Sequence, residues 1–223
     1  MDKIFNLDSP IMRALGRLAD IVVLNILTFI CCIPIITIGA ALTAQHYVVL
    51  KMVRNEEGHI GRTFFKSFKE NFRQATCIWL IFLAFIVIFG FDVYMFLYSG
   101  IEFPQFMVIM VGAFAIIAMM VGVYVFPVLS KFDNTVKNTI INSFKMAVIS
   151  LPQTILMIII YAVPVIMLLN SLQLVPIVAF FGLSGTAYVC AMLYNGIFKK
   201  FEPAEEAEEN GEFEIKTEEE KKA

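Results

Sequence analysis

Long apolar stretches with no polar side dominate this chain. Four of them predict helices over residues 76–98, 106–129, 147–169 and 175–198, and a fifth stretch near the N-terminus is interrupted by Pro34. At about 1.5 Å of rise per residue, each such helix reaches roughly 30 Å, the thickness of a bilayer's hydrocarbon core. A surface helix of a soluble domain would carry a polar stripe instead. The pattern predicts an all-α, polytopic membrane helix bundle.

The interrupted N-terminal stretch is expected to form a hairpin of two spans. Pro34 lacks a backbone N–H and disfavours helix at Ile33, so one helix should cover residues 10–33 and a second residues 38–54. The bundle then has six passes, with both termini on the cytoplasmic side. A single pass through this stretch, giving five passes and an N-terminus outside, is the alternative that the sequence leaves open.

Basic residues are concentrated in alternate connections between the predicted spans. The basic connections carry Lys51, Arg54, Arg62, Lys66, Lys69 and Arg73, then Lys131, Lys137 and Lys145. The connections around residues 100–105 and 170–174 contain no Lys or Arg. Because basic connections stay on the cytoplasmic side, this alternation predicts the orientation of the spans.

A basic aromatic segment precedes the 76–98 span and is predicted to be an interfacial amphipathic helix over residues 62–74. The candidate lipid or partner contacts in it are Arg62, Phe64, Phe65, Lys66, Phe68, Lys69, Phe72 and Arg73. Phenylalanine at every fourth position, with basic residues on the other side, suits a helix lying among anionic headgroups. The same surface can instead dock a cytoplasmic partner, and the sequence does not choose between these roles.

Polar side chains within the predicted spans are few. Asn25, Gln45, His46 and Asn195 are the candidates for an intramembrane polar path. Such residues either form hydrogen bonds between helices or line a route for a substrate. The chain shows no paired carboxylates, metal-ligand spacing, nucleophile–base set or glycine-rich phosphate loop. We therefore predict no catalytic residue, metal ligand, cofactor or nucleic-acid partner, and expect a protein that is not an enzyme.

The composition is typical of a membrane protein, and the balance of basic and acidic residues differs between two parts of the chain. Hydrophobic residues make up 59% and charged residues 16% of the chain, against roughly 45–50% and 25% in soluble domains. Residues 1–201 carry 14 Lys or Arg against 9 Asp or Glu, whereas residues 202–223 carry 3 Lys against 10 Glu. We predict a membrane domain over 1–201 and a disordered acidic tail over 202–223.

The N-terminal part of the chain carries a recognisable set of residues: Phe5, Ser9-Pro10, Asp20, Asn25, Cys32-Ile33-Pro34, Thr37-Ile38-Gly39, Ala44, the 64–72 segment, Lys69 and Asn71. In these residues the chain resembles the YesL family of bacterial membrane proteins. The resemblance covers most of residues 5–200, is clearest over 5–75, and leaves out the acidic tail. The family is a domain of unknown function whose genes commonly accompany ABC-type oligosaccharide importers.

The resemblance implies a multi-pass protein of the bacterial cell membrane that is accessory to carbohydrate uptake or its regulation. Its expected partners are the lipid bilayer and subunits of an ABC-type sugar importer, and it supplies no catalytic residues. The alternative is a small transporter or permease in its own right.

Overall fold

A computed structural model describes residues 10–56, 58–98 and 104–202, and every element in this part of the chain is helical. The helices are α1 (Pro10–Cys32), α2 (Ile38–Val53), α3 (Ile60–Tyr98), α4 (Gln105–Lys131), α5 (Val136–Ile149), α6 (Leu151–Asn170), α7 (Val175–Ile177) and α8 (Leu183–Phe198). Six segments of the described chain are long and apolar enough to cross a membrane. The prediction of an all-α polytopic membrane helix bundle is confirmed, with six candidate spans.

The turn between α1 and α2 is closed by side chains. The Thr37 hydroxyl donates to the carbonyl oxygens of Cys31, at 2.5 Å, and Pro34, at 2.8 Å. From α3, the indole N–H of Trp79 donates to the carbonyl of Ile35 at 2.7 Å. The bond to Cys31 satisfies a carbonyl in the last turn of α1, where helical partners are missing, and the other two bonds hold the turn in place. The apolar stretch interrupted by Pro34 is therefore a hairpin.

The far end of α2 closes with a Schellman motif. Asn55 adopts a left-handed backbone, with φ of 56°, and the Glu56 N–H donates to the carbonyl of Lys51 at 3.0 Å. The side chain of Asn55 then accepts a hydrogen bond from Arg17 of α1. The start of α1 and the end of α2 thus lie at the same end of the bundle.

Several basic residues meet at this end, which we call the basic end. Arg54, after α2, donates to Glu202, after α8, and Glu202 also contacts Lys131 at the end of α4. Helices α2, α4 and α8 therefore run in the same direction and finish together. The positive-inside rule predicts that the basic end faces the cytoplasm.

The structure corrects the prediction of a separate interfacial helix over residues 62–74, because this segment is part of α3. The helix runs without a break for 39 residues from Ile60 to Tyr98, so the basic aromatic segment and the following span are one rod. No Pro or Gly interrupts residues 62–78, so the backbone has no reason to bend where the apolar run begins. Periodicity identified the segment as helical, but it did not show what covers each side.

The structure also corrects the predicted start of the helix over residues 147–169. The predicted helix over 147–169 falls in two helices: residues 147–149 are the end of α5, and α6 begins at Leu151, after Ser150. The Thr135 hydroxyl accepts from the N–H of Asn138 and caps α5. Pro152 occupies the first turn of α6, where its missing N–H is tolerated, and this favours a new start there. The apolar residues that end α5 hid this break in the hydropathy pattern.

Helix α2 lies at the centre of the bundle and packs against α1, α3, α4 and α8. Small residues on α2 allow close approach, as is usual between membrane helices. A Cβ built on Gly39 would lie 2.7 Å from the Cβ of Trp79 and closer still to the carbonyl oxygen of Ala75. The largest cluster of buried side chains surrounds this helix and includes Tyr124, Tyr194, Phe64 and Phe198. These side chains fix the relative positions of the helices that carry the polar groups described next.

Candidate functional site

The α-helix of the last span is interrupted, and the side chain of Asn25 in α1 binds the backbone at the interruption. Between α7 and α8 the chain forms a π-helical turn, Val178–Gly182. The Asn25 side chain is fully buried. Its Nδ2 donates to the carbonyl of Ala179 at 2.5 Å, and its Oδ1 accepts from the N–H of Ser184 at 2.8 Å and of Leu183 at 3.2 Å. One side chain thus binds a carbonyl within the irregular turn and the two N–H groups that directly follow it.

Gln45 and His46 of α2 also bind partners on neighbouring helices. Gln45 Nε2 donates to Ser184 Oγ at 2.8 Å. His46 Nδ1 pairs with the hydroxyl of Tyr194 at 3.2 Å, and His46 Nε2 pairs with the hydroxyl of Tyr161 at 3.4 Å. Hydroxyl groups donate and accept, so this arrangement suits either neutral tautomer of the imidazole. Both α2 side chains are buried inside the bundle.

A charged cluster lies at the basic end, and we call it the clasp: Arg54, Asn195, Glu202 and Lys131. Arg54 Nε donates to Asn195 Oδ1 at 2.8 Å, and Arg54 Nη2 donates to Glu202 Oε1 at 2.5 Å. Lys131 Nζ lies 3.6 Å from the same Glu202 oxygen. The side chains of Arg54 and Glu202 are only 4% and 1% exposed. The clasp therefore joins the ends of α2, α4 and α8 through buried charge.

The four predicted polar-path residues do not form one continuous group. Asn25 and Gln45 meet at Ser184, His46 lies between two tyrosines, and Asn195 belongs to the clasp. Among the described residues, only Thr76 Oγ1 is a buried side-chain oxygen or nitrogen without a hydrogen-bond partner. The predicted path residues are thus engaged in bonds between helices in this conformation.

The clasp was missed by sequence reasoning. The sequence predicts Arg54 as the end of the second helix and as part of a basic connection, and Glu202 as the first residue of a disordered tail. The described Glu202 is buried against the bundle instead, and residues 203–223 lie outside the described residues. A Glu four residues after the last span is the one signal in the sequence, and the nine Glu that follow it obscure this signal.

The basic face of α3, which we define as Arg62, Lys66, Lys69 and Arg73, is exposed along its length. The aromatic side chains beside it have different positions. Phe64 is fully buried, Phe68 is half-buried between both core clusters, and Phe65 and Phe72 are exposed. The assignment of Phe64 to a lipid or partner contact is therefore wrong. An apolar stripe that suits lipid equally suits the interior of a bundle, and here the bundle covers it.

A polar cleft of about 680 Å³ opens beside this face, between α3 and the connection from α4 to α5. Its lining consists of Tyr47, Ser67, Glu70, Asn71, Gln74, Leu129, Ser130, Lys131, Phe132, Asp133, Asn134 and Thr135. Ser67, Asn71 and Gln74 recur at helical spacing, so one side of α3 forms a wall of the cleft. The lining supplies hydrogen-bond donors and acceptors for a polar ligand or chain segment. In the described part of the chain, no three His, Cys, Asp or Glu residues lie together in a way that could hold a metal ion.

An Asn25→Leu variant is expected to lose about 1–2 kcal/mol of folding free energy. The change removes three hydrogen bonds from a buried site at a helix break, and bonds between membrane helices contribute roughly 0.6 kcal/mol each on average. Thermal unfolding in mild detergent measures the loss. Asn170→Leu is the matched control, because Asn170 is exposed and its side chain donates to the carbonyl of Ile166 in its own helix. Equal melting temperatures for the two variants would contradict the role of Asn25.

Six apolar spans closed by interhelical hydrogen bonds and a buried charged clasp define a multi-pass α-helical membrane protein associated with the lipid bilayer. Residues 21–93 match the model of the family described as "Protein of unknown function, DUF624". The match covers the second half of α1, all of α2 and most of α3, including the basic face. No curated protein and no solved structure matches the chain.

Proposed function

We propose that this chain is a non-enzymatic accessory protein of the bacterial cell membrane, related to the YesL proteins, that acts beside an ABC-type oligosaccharide importer. In this proposal the basic face of α3 contacts a cytoplasmic part of the importer. The observation that carries it is the exposed row of four basic side chains on a helix that is continuous with a membrane span.

The length of α3 supports a contact outside the bilayer. A helix of 39 residues measures about 58 Å, whereas the hydrocarbon core is about 30 Å thick. The N-terminal part of α3 therefore extends well beyond the hydrocarbon. Its spacings of four, three and four residues put Arg62, Lys66, Lys69 and Arg73 on one side of the helix.

The opposite side of this projecting part is fixed by the bundle. Phe64 and Ala75 are fully buried, and Phe68 packs against both core clusters. The helix backbone that carries these four charges is therefore already fixed before a partner binds, and binding costs little conformational entropy in this backbone. The link to carbohydrate uptake rests on the resemblance to the YesL proteins, whose clearest part, residues 5–75, contains this face.

A Lys66→Gln/Lys69→Gln double variant is expected to recover three- to tenfold less importer when the protein is purified from native membranes in mild detergent. Each exposed charge pair contributes up to about 1 kcal/mol, and 1.4 kcal/mol is a factor of ten. Quantitative mass spectrometry of the importer subunits measures the change. Lys137→Gln/Lys145→Gln removes the same charge from exposed positions on α5 and should recover the wild-type amount. Absence of importer subunits from the wild-type preparation at several salt concentrations would overturn the proposal.

A transporter is the second candidate, and the π-helical turn Val178–Gly182 is the feature that favours it. Broken membrane helices often form part of the substrate sites of transporters, and π-turns frequently mark functional positions. Proteoliposomes that contain only this protein should then take up a labelled sugar, and Asn25→Leu should abolish uptake. No uptake across a broad panel of sugars and ions would remove this candidate.

A further inference from the structure

The basic face of α3 lies close to the point where the chain leaves the bundle. Glu202 is the last described residue, and the clasp holds it against Arg54 and Lys131. Arg54 directly follows α2, and α3 begins at Ile60. Lys131 also lines the polar cleft whose opposite wall is α3. The segment that follows Glu202 therefore starts at the rim of this cleft.

That segment, residues 203–223, has the charge opposite to that of the basic face. It contains nine Glu and three Lys, so its net charge is −6, whereas the basic face carries four positive charges. Its glutamates occur in short groups on both sides of Gly211. Several carboxylates can thus approach several cations together, and such multiple contacts are stronger than isolated surface pairs.

We propose that the acidic segment 203–223 binds the basic face of α3 in its own chain and covers it. The length of the segment permits this contact. A chain of 21 residues reaches up to about 70 Å when fully extended. The basic face itself extends only about 16 Å from Arg62 to Arg73. Because the clasp fixes the start of the segment nearby, its effective concentration at the face is in the millimolar range.

This contact goes beyond the proposed accessory function and does not depend on it. It requires only the two oppositely charged parts of the chain and the clasp between them. Where an external partner also uses the basic face, the acidic segment competes with that partner. Deletion of residues 203–223 then increases recovery of such a partner.

Carbodiimide cross-linking tests the contact directly, because the reagent joins a carboxylate to a lysine amine that touches it. The full chain is reconstituted as single copies in nanodiscs of neutral phosphatidylcholine at low salt, and linked peptides are measured by mass spectrometry. Lys66 and Lys69 should link to glutamates of residues 203–223 more than Lys137 and Lys145 do. About 0.3 M salt, at which charges are screened over roughly 6 Å, should reduce these links several-fold.

Charge reversal beside the reacting lysines provides the specific control. Arg62→Glu/Arg73→Glu keeps Lys66 and Lys69 available, and it should lower their links to the acidic segment at least about fivefold. Lys137→Glu/Lys145→Glu changes the net charge equally on α5 and should leave those links unchanged. An equal decrease in both variants would show attraction to the whole basic end and would overturn the assignment to α3.

Two other occupants of the face give different results. If anionic lipid is the occupant, Lys66 and Lys69 will not link to the acidic segment in neutral nanodiscs, and Arg62→Glu/Arg73→Glu will lower the anionic lipid that co-purifies in detergent. If a second copy is the occupant, links will be absent from single-copy nanodiscs and will join labelled to unlabelled chains in mixed detergent samples. Either result overturns the intramolecular contact.

Discussion

An Arg54→Leu variant is expected to lose about 3 kcal/mol or more of folding free energy, the largest effect of any substitution considered for this bundle. Removal of one member of a buried ion pair typically costs about 3–5 kcal/mol, because the other charge stays buried without its partner. Here that charge is Glu202, whose side chain is 1% exposed. Lys131 Nζ, 3.6 Å from the same oxygen, keeps one cation nearby and places the expected loss at the lower end of that range.

Thermal unfolding in detergent should show this loss as a melting temperature lowered by roughly 6–12 °C. Arg54→Leu/Glu202→Leu should recover much of it, since apolar residues of similar volume often replace buried ion pairs at little cost. Lys51→Leu is the control for loss of a basic residue from a partly exposed pair with Glu56, and it should change stability by less than about 1 kcal/mol. The role of the clasp is refuted if Lys51→Leu and Arg54→Leu unfold at the same temperature.

A Gly39→Ala variant is expected to lose about 1–3 kcal/mol, although it adds a single methyl group. The added carbon would lie 2.7 Å from the Cβ of Trp79 and even closer to the backbone carbonyl of Ala75. A backbone carbonyl cannot change rotamer to avoid the added carbon as the end of a flexible side chain can. Helices α2 and α3 must therefore move apart. Separation also weakens the bond between the Trp79 indole and Ile35 in the α1–α2 turn.

Gly112→Ala, in α4, is the matched control for this change. An added Cβ at Gly112 meets no other atom within 4 Å, and alanine is the better helix former by about 1 kcal/mol. The control should therefore unfold at the wild-type temperature or above it, whereas Gly39→Ala should unfold below it. Tryptophan fluorescence should report the shift at Gly39, because the chain contains one tryptophan. Equal stability of the two variants would mean that α2 and α3 do not approach each other at this position.

The spans could be predicted from the sequence because hydropathy reports directly on the burial of each segment in lipid. Pro34 indicated the hairpin for a backbone reason that holds in any environment. The break at Ser150 was not predicted because its neighbours are apolar on both sides. The position of Phe64 was not predicted either, because a lipid-facing and a protein-facing stripe have the same period of 3.6 residues.

The polar groups were only partly predictable, for a related reason. Asn25, Gln45 and His46 stand out in apolar surroundings, so their need for partners within the bundle could be inferred. Their actual partners are 115 to 159 positions away along the chain, and no local pattern specifies such pairs. Glu202 looked like the first of many solvated glutamates, and only the fold distinguishes it from the others.

The long separation between Arg54 and Glu202 has a consequence during synthesis. The two residues are 148 positions apart, so at about 5–20 residues per second a ribosome needs roughly 7–30 s to make the second after the first. Throughout that interval the nascent chain holds an arginine without its counterion. Translation that stops just before Glu202 yields a product with all six spans but without this neutralisation, and such a product should be removed from cells faster than the complete chain.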